Sequence, residues 1–91
     1  GGPRLIASKT GRDGSISIHQ DADAYVWKLD KAASAEHRLA PGRSGWVQLV
    51  EGELDVNGVT LRPGDGAAIS GEERILLEAA RPSHFLFFDL N

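Results

Sequence analysis

The chain contains no cysteine and no methionine. Without cysteine there is no disulfide, no thiolate nucleophile and no cysteine-ligated metal. The missing methionine includes position 1, and the chain opens Gly1-Gly2-Pro3. Such a start is expected of a piece of a longer protein carrying a short added tail. Positive charge is in deficit: ten Lys and Arg stand against thirteen Asp and Glu, a formal charge of -3. A nucleic-acid partner would call for a basic stripe, and a membrane surface for a polybasic cluster, so neither partner is expected. No apolar run approaches the ~20 residues that span a bilayer, and no signal-peptide pattern opens the chain. The expected location is cytoplasmic. Helical periodicity is nearly missing as well. Lys31-Ala32-Ala33-Ser34-Ala35-Glu36, with Asp30 as N-cap, is the one rival, and six residues without an apolar stripe support one turn at best.

What is present is alternation. Ninety-one residues, 41% hydrophobic and 25% charged, make one ordinary globular domain with a small core. Ser15-Ile16-Ser17-Ile18-His19 alternates strictly, and Ala24 to Leu29 holds the strand formers Tyr25, Val26 and Trp27. Trp46–Val50, Glu53–Val56, Val59–Leu61, Gly66–Ile69, Arg74–Ala79 and His84–Leu90 complete at least eight short strands. Their spacing, about ten residues, predicts an all-β sandwich or barrel. Asn57-Gly58 between two such runs predicts a two-residue hairpin, because both central residues of a type I′ turn need positive φ. Leu54 and Val56 then share one face, with Glu53 and Asp55 on the other. Arg62-Pro63-Gly64-Asp65 reads as a second tight turn.

Val50-Glu51-Gly52-Glu53-Leu54, the Asn57-Gly58 hairpin and Leu61-Arg62-Pro63-Gly64-Asp65 resemble the centre of a cupin. Asp13-Gly14-Ser15, His19-Gln20-Asp21, Tyr25 with Trp27, Trp46-Val47-Gln48 and the closing Leu86-Phe87-Phe88-Asp89-Leu90 narrow the resemblance. They are similar to the second half of pirin-like bicupins, the group with bacterial quercetin 2,3-dioxygenase-type proteins. The resemblance covers Asp13 to Leu90 and implies an antiparallel, jelly-roll-like cupin barrel over residues 13–91. Residues 1–12 form a leading segment, part tail and part first strand. The family carries its metal, usually iron, in the first cupin domain. This chain resembles the second.

A metal cupin of this type has His-x-His, three or four residues, Glu, six residues and Gly, so that alternate strand positions converge inside the barrel. Anchored on Gly52, the pattern puts the Glu at Gly45 and the histidines on Arg38 and Ala40, or on Leu39 and Pro41. No His occurs from Gly66 to Ala79. His37 misses by one position, and a slip of one residue turns a strand side chain to the opposite face. No metal ligand is expected in this domain. His37 is expected beside Glu36 on the surface, His19 on the polar side of its strand, and His84 at a strand end.

Other chemistries are no better represented, and no catalytic residue is expected. No serine sits in a Gly-x-Ser-x-Gly elbow. Gly42-Arg43-Ser44-Gly45 lacks the Lys and helix of a phosphate loop. Glu72-Glu73 is a solvated pair, and Asp21 and Asp23 are loop acids.

The expected role follows. The chain is a metal-free cupin half that packs on and supports an N-terminal cupin bearing iron or another divalent metal. The activity implied for the parent is of the quercetin 2,3-dioxygenase type. An alternative is a barrel that binds a small molecule without metal. Trp46, Gln48 and Val50 are expected on the outer face, opposite Val47 and Leu49, as the surface that meets the other cupin. In the isolated chain that surface is expected to drive a homodimer.

Overall fold

The computed structural model describes residues 2–91, which form ten strands and one 3-10 turn. In chain order these are β1 (Arg4–Ser8), the 3-10 turn (Arg12–Gly14), β2 (Ile16–Ser17), β3 (Ala22–Leu29), β4 (Ser34–Arg38) and β5 (Ser44–Glu51). Then come β6 (Leu54–Val56), β7 (Val59–Leu61), β8 (Gly66–Ile69), β9 (Arg74–Ala79) and β10 (Ser83–Leu90). They build two sheets, one ordered β2-β1-β3-β10-β5-β8 and the other β4-β9-β6-β7. All pairings are antiparallel except β1 with β2. This is the all-β sandwich that the alternation predicts, with the antiparallel pairing that the cupin resemblance implies.

Each sheet turns one set of alternate residues to the other. From the larger sheet come Tyr25, Trp27 and Leu29, Val47 and Leu49, and Phe85 and Phe87; from the smaller come Leu54, Val56, Leu61, Ile75 and Leu77. Phe85, Phe87, Val47, Leu54, Ile75 and Leu77 are fully buried. Trp27 stacks on Phe85 at 5.5 Å between ring centroids and meets Phe87 edge-on at 6.1 Å. Burying each such aromatic contributes roughly 1.5–3 kcal/mol, so these rings dominate a core of this size.

The turns behave as read. Asn57 and Gly58 both have positive φ, 48° and 87°, and join β6 to β7 without loss of register. Gly64 has φ 90° after Pro63, and the Asp65 amide donates to the Arg62 carbonyl at 2.8 Å.

Two local expectations need correction. The alternating run Ser15–His19 is a strand only at Ile16–Ser17, and Ile16 is 71% exposed, because this piece lies at the sheet edge with nothing packed on it. His19 lies beyond the strand in an exposed bend. The helix-prone stretch after Asp30 is a turn through Ala32, φ 65°, leading into β4. Pairing along β9 satisfies its backbone, which one isolated helical turn could not do. β1 arises within the leading segment and pairs with β3 across a bulge between Leu5 and Ala7.

Candidate functional site

The barrel interior at the level of Gly45 is where a metal-bearing relative would hold its carboxylate. Gly45 pairs with Asp89 on one side and Ile69 on the other. A Cβ added there would lie 2.8 Å from Ile75 Cδ1, 3.6 Å from Phe87 Cζ and 3.8 Å from Ile69 Cδ1. The space for a ligating side chain is filled by hydrocarbon. Among the described residues no cluster of three or more His, Asp or Glu has the geometry of a metal site. The residues present therefore do not fit a cupin metal.

His37 departs from the sequence reading. It lies on the inner face of β4, not on the surface beside Glu36, and its Nε2 is 2.9 Å from Asp89 Oδ2. Its ring packs 4.6 Å from Phe87 and 6.0 Å from Tyr25 between centroids. Glu36, on the opposite face, instead takes Arg74 at 2.9 Å and Arg38 at 3.2 Å. Hydrogen bonding to Arg74 holds the Glu36 carboxyl below its ordinary range.

Asp89 is the centre of a polar plug. Arg43 Nε donates to its Oδ1, and Arg43 Nη2 donates to its backbone carbonyl at 3.0 Å. Arg43 also reaches Asp21 Oδ2 at 3.2 Å. The hydrogen bond to Asp89 raises the Arg43 pKa above its ordinary value, against an opposing effect of burial. Beside this plug Arg12 holds Asp23 with two hydrogen bonds of 3.1 and 2.7 Å. Tyr25 lies between the two groups, and burial first, then the Asp23 charge, push its phenol up. Asp21 and Asp23, read as loop acids, thus serve two separate arginines, and Asp23 is part of β3. Sequence reading missed Asp89 and Arg43. The signal was available: Asp89 continues the inward series Phe85, Phe87, and a carboxylate in that register needs a buried partner.

The second feature is the outer face of the six-stranded sheet. Trp46, Gln48 and Val50 do point outward, with Trp46 37% and Val50 45% exposed. Register extends the face across neighbouring strands, through Ala24, Phe88, Trp46 and Ala68 in one row and Val26, Leu86 and Gln48 in the next. The indole of Trp46 lies over Gly66, where any side chain would collide with it. Its Nε1 donates to Gln48 Oε1 at 3.4 Å, while Gln48 Nε2 donates to the carbonyls of Gly64 and Asp65. The one polar side chain at the centre of the face is thus engaged within the chain. The opposite outer face, on the four-stranded sheet, carries Ser34, Glu36, Arg38, Arg74, Glu78, Asp55 and Thr60, with Leu76 its sole large apolar group. One face suits water and the other does not.

The sequence signature of the quercetinase C-terminal cupin domain matches residues 5–90. The chain is 40% identical over 89 residues to the quercetin 2,3-dioxygenase of Escherichia coli K12, covering 98% of this chain and 38% of that protein. The nickel(II) complex of the Escherichia coli pirin YhhW superposes with a TM-score of 0.95 at 40% identity, over 98% of this chain and 39% of that one. The Escherichia coli protein YhaK superposes with a TM-score of 0.87 at 34% identity, over 99% of this chain and 41% of that one. The chain therefore spans about two fifths of the length of the curated relatives it matches.

Proposed function

The chain belongs to the quercetinase C-terminal cupin domain family of pirin-like bicupins, and from that premise we propose that it is a metal-free half that docks on and braces a catalytic cupin preceding it. The observation that carries this reading is the apolar outer face around Trp46, Leu86 and Phe88, set against the charged outer face of the other sheet. A face of that kind is kept from water by a partner. The length of the relatives supplies a partner of the right size, since more than half of each lies outside the match.

In this reading iron or another divalent metal resides in the N-terminal cupin, and the parent oxidises a flavonol of the quercetin type in the cytoplasm. The nickel(II) held by a pirin relative supports a metal in the family. The hydrocarbon packed around Gly45 supports its placement outside this domain. The domain alone contributes no catalytic residue. With its partner missing, the bared face draws two copies together.

Hydroxyl-radical footprinting tests the docking. In the 91-residue chain, diluted until sedimentation shows only monomer, Trp46, Leu86 and Phe88 should react, and in the longer chain carrying both halves they should be protected. Equal reactivity in the two would overturn the reading. Elemental analysis tests the metal assignment. About one metal ion per chain in the purified domain, lost on His37→Ala, would refute it, as would metal-stimulated, chelator-sensitive quercetin consumption by the domain alone.

A further inference from the structure

One end of the apolar face is basic. Arg4 of β1, Lys28 of β3 and His84 of β10 line an open groove of about 420 Å³ whose other walls are Gly2 and Val26. Register makes the clustering a property of the sheet. Lys28 and His84 are direct cross-strand partners, and Arg4 is opposite Val26, two residues from Lys28 on the same face. The chain as a whole carries an excess of acid, yet no carboxylate lines this groove. Glu51 is the cross-strand partner of His84 on β5, and with Asp30 it lines the adjoining groove on the far side of Lys28 and His84. Among the described residues neither forms an ion pair with these groups, and Arg4 has no ion-pair partner either.

The molecule contains its own control. Arg38 and Arg74 also face each other directly across two strands, and there Glu36 bridges both, at 3.2 and 2.9 Å. Like charges placed opposite or diagonal to one another on a sheet, as Arg4 and Lys28 are, repel unless an anion lies between them. On its charged face the chain supplies that anion; on its apolar one Arg4 and Lys28 form no ion pair among the described residues, either with Asp30 or with Glu51. Only on the apolar face is a partner available to bring it.

We propose that this groove is an oxyanion-binding site, and that in the two-half protein its ligand is a side-chain carboxylate of the domain covering the apolar face. The identity of that ligand rests on the docking reading above; the site itself does not. A fixed guanidinium, an ammonium and an imidazole around one opening suit a carboxylate or phosphate oxygen. At the rim of an interface such a clasp governs orientation and salt dependence more than affinity.

Amide chemical shifts of the 91-residue chain, titrated with sodium propionate and with sodium phosphate at constant ionic strength, test the site. Both anions should give saturable shifts confined to the strands around Arg4, Lys28 and His84, with millimolar affinity. Arg4→Gln combined with Lys28→Gln should weaken both about tenfold or more, its dispersed spectrum showing that it is folded, and Lys28→Gln alone should fall between. Shifts that do not saturate, or that survive in the double variant, would overturn the site. The source is decided in the longer chain, where phosphate should no longer bind because a carboxylate already fills the groove. Phosphate binding undiminished there would overturn the partner carboxylate. If Trp46 is protected in that chain while the groove stays open, the clasp fails and docking stands. If the groove binds anions but Trp46 stays reactive, docking fails and the site stands.

Discussion

Gly45 has no side chain, yet it reports most directly on what the barrel interior has become. A methyl group added there would meet Ile75, Phe87 and Ile69, and Ile75 would have to move to admit it. Gly45→Ala should therefore cost roughly 1–3 kcal/mol, the usual effect of overpacking a filled core, measured by urea denaturation. An unchanged midpoint would mean that the interior has slack that the packing denies. Tyr25 offers a second test. It is the one tyrosine in the chain, so phenolate absorbance reports it alone. Burial raises its folded-state pKa above the ordinary 10.0. A raised pKa of this kind contributes stability that is fully present below the unfolded value and is lost as pH rises through the folded one. Alkaline unfolding should accordingly set in above about pH 10, and Tyr25→Phe should flatten that part of the stability profile. A phenol titrating at its ordinary value in the folded protein would contradict its position between Asp23 and Asp89.

At the scale of the element, β5 shows how one strand can be apolar on both sides and use each differently. Val47 and Leu49 close the core, while Trp46 and Val50 stay outside it. The two tryptophans make the contrast measurable. Trp27 is 5% exposed and stacked on Phe85, so Trp27→Ala should cost roughly 3–5 kcal/mol. Trp46→Ser should cost clearly less and leave the monomer's melting temperature nearly unchanged, while sedimentation equilibrium shows weaker self-association of the isolated chain. Equal destabilisation by the two changes would place Trp46 in the core. This division of faces was legible in the sequence, because strand period fixes it once Gly45 is assigned inward. The hairpin at Asn57-Gly58 was legible for the same local reason. β4 was not, since Ser34-Ala35-Glu36-His37-Arg38 has weak strand formers and acquires its conformation from β9, a partner 36 or more residues away. With β4 unread, the inward turn of His37 could not be read either, nor could its pairing with Asp89 at the far end of the chain. Local pattern carries facing and turns; it does not carry which strand lies beside which.

The molecule as a whole is organised around its last strand. β10 lies between β3 and β5 at the centre of the larger sheet and brings Phe85, Phe87 and Asp89 to the core and its polar plug. Removing Ser83–Asn91 should therefore abolish cooperative thermal unfolding and near-ultraviolet circular dichroism, rather than produce a shorter stable sheet. A truncated chain that still melts in one sharp transition would refute this. The same placement has a consequence for biosynthesis. On the ribosome, β3 and β5 emerge long before the strand that joins them, and at about 5–20 residues per second their tryptophan-bearing edges wait several seconds without a neighbour. Any cupin translated ahead of this one would by then be complete and able to fold. Between the emergence of Trp27 and that of Phe87, the edges of β3 and β5 that β10 will join stay open to strands of another chain.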